Sequence, residues 1–208
     1  MNEYENKLYS EGIKTIGGCD EAGRGPLVGP VVAACVVLPK DYVNDEINES
    51  KKISEKKREK LYDVIMKDAL AVGVSIIDAK TIDEINIYEA SRLGMINAYK
   101  EANSKLKIDY LLTDAMPIKT LDIPVLDIIK GDAKSITIAA ASIIAKVTRD
   151  RLMYNLDKKY PEYEICKHKG YPTKKHLELI NKYGIIEEYR KSYKPVKELY
   201  DKKHFNNH

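Results

Sequence analysis

Residues 17–30 read GGCDEAGRGPLVGP, and the interpretation of the whole chain turns on them. Two acids, Asp20 and Glu21, stand between Gly17-Gly18 and the triplet Gly23-Arg24-Gly25. Apolar runs on both sides anchor them beside a buried sheet. Two like charges about 4 Å apart repel by roughly 4 kcal/mol at an intermediate dielectric. Acids held against an apolar strand therefore call for a cation, a raised pKa, or both. Glycines let backbone approach a ligand closely because no Cβ intervenes, and Arg24 adds a planar donor fork suited to phosphate. Carboxylates for metal beside Gly-Arg-Gly for phosphate are what hydrolysis of a nucleic-acid backbone needs. An isolated Asp-Glu pair at a strand end also reads as a solvated loop. Successive strand residues point to opposite faces, so both acids reach one site only where the chain bends.

With 208 residues the chain is long enough for one substantial domain. No run of 18 or more apolar residues appears, and the polar start MNEYENKLYSEG is unlike a signal peptide. A cytoplasmic protein without membrane association is expected. Cys19, Cys35 and Cys166 are odd in number, scattered and without zinc-site spacing, which fits inert thiols in a reducing compartment. Charge is uneven: residues 158–208 carry 13 Lys and Arg against 7 Asp and Glu, while the whole chain carries only +3. A basic C-terminal part beside an acidic remainder suits a polyanionic partner, although solvated helical lysines give the same count.

Residues 13–22 and 30–38 read as strands, the second nearly continuous in apolar residues and hence buried. Segment 44–58 is polar and lysine-rich, with Ser54 a candidate N-cap for a helix carrying Leu61, Val64 and Ile65. A third strand spans 69–77. Thr81 is placed to cap a helix over 82–102, with Ile82, Ile85, Leu93 and Ile96 on one face and a Glu89–Arg92 pair. Strands at 108–113 and 124–129 follow, then a long Ala-rich helix over 134–157. Gly170, Pro172 and Gly184 divide the remainder into shorter helices and loops. The pattern argues for a mixed α/β sheet flanked by helices, with a helical C-terminal part. Residues 1–157 are expected to form the core and 158–208 a helical, basic segment packed on the same domain.

Asp114 closes one predicted strand and Asp132 follows another, so both can project into a cleft shared with Asp20 and Glu21. Each is also an ordinary turn or cap residue, and Asp132 can cap the long helix. Carboxylates are hard donors that select Mg²⁺ or Mn²⁺ over zinc. Lys146 and Arg149, three apart on the long helix, can contact phosphates downstream of a cut or form a solvated edge. Lys167, Lys169, Lys174 and Lys175 surround Tyr171 and make a backbone track that positions without reading sequence. The histidines, His168, His176, His204 and His208, lie far from the acids in sequence and read as surface residues. His204 and His208 receive no ligand role, and nothing in the tail KKHFNNH is specific to a partner.

The segment CDEAGRGPLVGP resembles the active-site segment of ribonuclease HII, enzymes that cut RNA–DNA hybrids and single ribonucleotides in duplex DNA. Ribonuclease HIII, the sister family, usually has a differently composed Gly-rich segment and an extra N-terminal domain. LLTDAM around Asp114, KGDAKSITIAAASIIAKVTRDR around Asp132 and HKGYPTKKH around Tyr171 resemble further blocks, in the family's order, over roughly residues 14–185. The resemblance implies a ribonuclease H-like sheet and four catalytic, metal-ligating carboxylates: Asp20, Glu21, Asp114 and Asp132. It implies one Mg²⁺ or Mn²⁺ ion without substrate and a second arriving with substrate phosphate, giving 5′-phosphate and 3′-hydroxyl ends. Gly23, Arg24 and Gly25 would then read the 2′-hydroxyl, with Tyr171 packing at the RNA–DNA junction. The expected partners are RNA–DNA hybrid and ribonucleotide-containing duplex DNA, met by a monomer.

Two other readings stay open at this stage. A phosphate loop in GRGPLVGP fits neither GxGxxG nor GxxxxGK[ST]. A non-catalytic nucleic-acid binder on the same fold gains nothing from carboxylates facing phosphates, and metal dependence of cleavage separates it from an enzyme.

Overall fold

The computed structural model describes residues 1–48 and 53–205. His208 and the His204 side chain, like part of the lysine-rich segment 44–58, lie outside what is described. Helix α1 (Glu3–Ser10) leads into β1 (Ile16–Ala22) and β2 (Val31–Val37), then the single turn α2 (Asp45–Asn48) and helix α3 (Glu55–Asp68). Strand β3 (Ala71–Ile77) is followed by α4 (Ala79–Ile85) and α5 (Ile87–Lys105), then β4 (Tyr110–Asp114) and β5 (Val125–Ile128). The long helix α6 (Ile136–Lys159) opens the C-terminal part, which continues through α7 (Ile165–His168), α8 (Lys174–Tyr183) and α9 (Lys194–Phe205).

The five strands form one mixed sheet in the order β3-β2-β1-β4-β5. β1 runs antiparallel to β2 but parallel to β4, and β4 is parallel to β5. The carboxyl ends of β1, β4 and β5 therefore share one edge of the sheet, which is where ligands bind in open α/β sheets. Helix α5 covers one face through Met95, Ala98 and Ala102 against Cys19, Ala33, Cys35 and Val37. Helix α6 covers the other through Ala140, Ile143, Ile144 and Val147 against Ala34 and Val36, with Leu61 and Ile65 of α3 behind it. Enclosed on both sides, α6 is apolar nearly all round in its first half, as a helix without a solvent face should be.

One glycine sets how close α6 comes. A Cβ on Gly18 would lie 2.4 Å from the Thr137 carbonyl carbon and 2.5 Å from the Ile138 nitrogen. The first turn of α6 thus rests directly on β1, two residues before Asp20. Glu5 of α1 locks the same turn from outside, accepting from the Ser135 hydroxyl (2.5 Å), the Thr137 hydroxyl (2.8 Å) and the Thr137 N–H (3.1 Å).

Several expectations about elements change. The helix expected over 82–102 is two helices, because Asn86 (φ 70°) breaks the run and caps α5 through Glu89 N–H at 3.0 Å. Asp78, not Thr81, caps α4. The buried face of α5 combines small residues, Ala90, Ser91, Gly94, Ala98 and Ala102, with Met95 and Tyr99, while Leu93 and Val64 of α3 stay exposed. Asp132 does not cap α6; Ser135 does, accepting from Ile138 N–H at 3.2 Å. Ser54 caps α3 as expected, and Glu89 pairs with Arg92. Cys19 and Cys35 are buried and Cys166 half-buried, all three as free thiols. Among the described residues no helix is long and apolar enough to cross a membrane.

Candidate active site

Alternation along β1 decides which acid goes where. Gly18 faces α6, so Asp20, two residues on, faces the same way. Leu112 of β4 packs with Ile138 of α6, so Asp114 also points to that side. The turn after β5 then carries Asp132 into the same corner, its backbone fixed where the Gly131 N–H donates to Asp114 Oδ1 at 2.6 Å. One carboxylate oxygen from each of Asp20, Asp114 and Asp132 lies within 4.8 Å of the others. Three acids separated by up to 112 positions in the sequence thus meet at one sheet edge.

Glu21, the fourth expected member, is not in that group. Its side chain meets Arg24, Oε1 to Nη1 at 3.5 Å. It nevertheless lines the same cleft, and its Oε2 is buried without a hydrogen-bond partner. Burial raises the Asp20 pKa well above the usual carboxylate range, with Glu21 and Asp114 adding to the effect and the Glu21 N–H opposing it. Glu21 is also raised by burial, with Arg24 pulling the other way. Such mutual repulsion in a low-dielectric corner is relieved by protons or by a cation.

The cleft holds about 390 Å³ and is lined by Asp20 and Glu21, the Gly23-Arg24-Gly25 loop, Arg58, Asp132, Lys146 and Tyr171. Tyr171 stands over the loop: a Cβ on Gly25 would be 3.3 Å from its ring. Gly23 adopts φ +96°, and a side chain there would strike the Arg149 guanidinium at 2.1 Å. Lys146 reaches the cleft from α6 and is held by Asp150 at 2.8 Å.

Two basic expectations fail. Arg149 is only 1% exposed and does not face the cleft. It donates to the carbonyls of Pro30 (3.0 Å), Lys169 (2.9 Å) and Val28 (3.2 Å), and burial lowers its pKa to about 10. Residues three apart on a helix are offset by only about 60° around its axis, so what separates the pair is the loop that lies over Arg149 and leaves Lys146 at the cleft rim. Lys169 is likewise taken, donating to the Tyr154 hydroxyl and the Cys166 carbonyl, which leaves Lys167, Lys174 and Lys175 exposed around Tyr171.

Two of the histidines expected at the surface, His168 and His176, are inside. His168 and His176 stack with ring centroids 3.8 Å apart. His176 meets the Tyr171 carbonyl and the Tyr189 hydroxyl, each at 2.8 Å, while His168 accepts from the Gly170 N–H at 3.0 Å. Burial lowers the pKa of both, His176 to about 4, so they serve as neutral struts for the Tyr171 loop.

Arg58 and Arg190 were missed. Arg58 lies in a lysine-rich helix whose composition reads as solvated. Arg190 belongs to no motif, yet it is fully buried and donates to Gly23 O (2.6 Å), Arg24 O (3.0 Å) and Gly29 O (3.0 Å).

Residues 17–198 match the family described as Ribonuclease HII. A Ribonuclease HII of Bacillus cereus (strain Q1) is 54% identical over 202 residues, covering 97% of this chain and 77% of that protein. The solved ribonuclease H2 of Pyrococcus horikoshii OT3 is similar with a TM-score of 0.76 and 26% identity, over 90% of this chain and 98% of that one. The RNase HII of Archaeoglobus fulgidus, solved in a complex with PCNA, gives a TM-score of 0.71 and 27% identity, over 88% and 96% of the two chains.

Proposed function

Because this chain belongs to the ribonuclease HII family, and so is a metal-dependent endoribonuclease of RNA–DNA substrates, we propose that it nicks duplex DNA 5′ of single embedded ribonucleotides as well as cutting the RNA strand of hybrids. The observation that carries this is the meeting of Asp20, Asp114 and Asp132 within 4.8 Å, beside a cleft whose other wall is the Gly23-Arg24-Gly25 loop and Tyr171.

The residues fit a divalent cation. Every donor is a carboxylate oxygen, as Mg²⁺ and Mn²⁺ prefer, and Glu21 Oε2 is buried and unsatisfied at the margin. Asp20, Asp114 and Asp132 would hold the metal, with Glu21 completing its ligands. When bound, a pair of such ions supplies an attacking water of lowered pKa and a stabilised leaving 3′-oxygen, leaving 5′-phosphate and 3′-hydroxyl ends.

The chain's own residues do the rest. Arg24 presents its guanidinium beside Glu21 for a phosphate oxygen, and Lys146 and Arg58 offer positive charge to the strand on the α6 side. Backbone of Gly23, Arg24 and Gly25 meets the 2′-hydroxyl, which both donates and accepts a hydrogen bond. Tyr171 supplies an aromatic face where ribose gives way to deoxyribose. All of these come from one chain, so a monomer suffices. The C-terminal part from residue 158 onward is taken to work as part of the same domain, which is supported by the core that Tyr163, Ile180, Tyr189 and Val196 share with Leu27, Val28 and Met153.

A duplex DNA with one embedded ribonucleotide tests this. A nick on its 5′ side with Mg²⁺ or Mn²⁺, abolished by chelator, is expected. Cleavage of long hybrids with no cutting at the single ribonucleotide would instead favour a hybrid-only enzyme.

A further inference from the structure

We infer that Arg190 is a positioning residue for sugar discrimination, fixing the Gly23-Arg24-Gly25 loop with its N–H groups aimed into the cleft. The inference rests on the reading above that this loop meets the 2′-hydroxyl.

The geometry is specific. One guanidinium takes the carbonyls of two consecutive residues, Gly23 (2.6 Å, from Nη2) and Arg24 (3.0 Å, from Nη1), while its Nε donates to Gly29 O at 3.0 Å. A trans peptide sets its C=O and the following N–H on opposite sides. Drawing both carbonyls onto Arg190 therefore turns the N–H groups of Arg24 and Gly25 the other way. That way lies the cleft, which Gly23, Arg24 and Gly25 line and Arg190 does not. Consecutive N–H groups on one side make a concavity that receives an oxygen atom. The positive φ of Gly23 (+96°) is the backbone turn this arrangement requires.

Arg190 is itself held from three directions. Its N–H donates to Leu27 O at 2.8 Å, and Tyr189 bridges to Val28. The Tyr193 hydroxyl accepts from Nη1 at 3.0 Å and donates to the same Arg24 carbonyl. Asp83 of α4 caps the following residues, accepting from the N–H groups of Lys191 (2.9 Å) and Ser192 (2.8 Å). A buried guanidinium is expensive to desolvate, and here its donors go to the loop's carbonyls and to Tyr193. A lysine ammonium lacks the planar fork and cannot serve these carbonyls in the same geometry.

The test compares two constants measured on the metal-loaded enzyme. One is the KM for duplex DNA with one embedded ribonucleotide; the other is the inhibition constant of an all-DNA duplex of the same sequence as competitor. Their ratio isolates the sugar's contribution from general affinity. In Arg190→Lys the KM should rise about fivefold to tenfold, the scale of one or two misaligned hydrogen bonds, with the inhibition constant within about twofold of wild type. Tyr193→Phe removes one hydroxyl from the Arg24 carbonyl and should shift the ratio in the same direction by less; it decides the matter if Arg190→Lys fails to fold in a thermal melt. Parallel movement of both constants, or an unchanged ratio in the folded variants, would overturn the role of Arg190. A wild-type enzyme with no preference for the ribonucleotide duplex would instead remove the underlying reading of the loop.

Discussion

The two walls of the cleft handle charge in opposite ways. On one, Asp20, Asp114 and Asp132 gather like charges at the ends of parallel strands, and burial leaves Asp20 resisting ionisation. On the other, two buried cations, Arg149 and Arg190, donate to backbone carbonyls of residues 23–30 and lend that loop a fixed shape. The acidic wall is under electrostatic stress that a divalent ion would relieve. The carbonyls of the loop wall are satisfied by the protein itself. The proposed function thus places chemistry where like charges crowd together, and recognition where buried arginines hold the backbone.

The sharpest way to break this contrast is Asp20→Asn. Cleavage should fall by more than about 100-fold, beyond the usual effect of altering a ligand's supporting partner. In metal-free buffer the same variant should melt higher than wild type, by about 2–4 °C for each kcal/mol of repulsion removed. Retained turnover would take Asp20 out of the mechanism, and a lowered melting temperature would contradict electrostatic stress at that wall.

On the loop wall, Arg149→Met should destabilise by about 3 kcal/mol, because three carbonyls lose their donor. Lys146→Met, three residues earlier, should alter stability by less than about 0.5 kcal/mol and raise KM instead. Denaturant melts and steady-state kinetics on both variants sharpen the division between strut and substrate contact. Equal effects on stability would erase it.

Smaller still is a pH effect. His176 titrates near 4 in the fold against an ordinary 6.5, so the unfolded chain binds the extra proton in that interval. Stability from this site is therefore complete above pH 6.5 and is lost as pH falls toward about 4. The ring faces stacked His168, the Tyr171 carbonyl and the Tyr189 hydroxyl. His176→Gln should flatten the stability profile across that window; an unchanged slope would mean another group controls it. Smallest is Tyr171→Ala, expected to slow cutting at single ribonucleotides a few-fold more than cutting of long hybrids. Equal losses on the two substrates would make Tyr171 merely structural.

The acidic wall was legible in the sequence because each acid ends or follows an apolar strand and the family resemblance singles out the set. That β1, β4 and β5 run parallel and deliver their ends together is seen only in the structure. Glu21 stands beside the three-acid group rather than in it, on the wall of the same cleft and paired with Arg24. The loop wall was not legible. Arg190 reaches Gly23 across 167 positions, and nothing near either residue announces the contact. Arg149 read as a phosphate contact or a solvated edge, and is neither, because a helix periodicity says which residues share a face, not which face is covered by a loop. The stacked histidines were hidden for the same reason, as a polar, lysine-flanked motif became a buried pair only once α8 folded against the Tyr171 turn.

The most direct measurement of the acid corner is titration of the protein with Mn²⁺, followed by electron paramagnetic resonance, in wild type and Asp20→Asn. Saturable binding in wild type that is lost or weakened at least about tenfold in the variant is expected. Equal binding by both proteins, or none by the wild type with and without a hybrid duplex, would contradict convergence of these carboxylates on a catalytic ion.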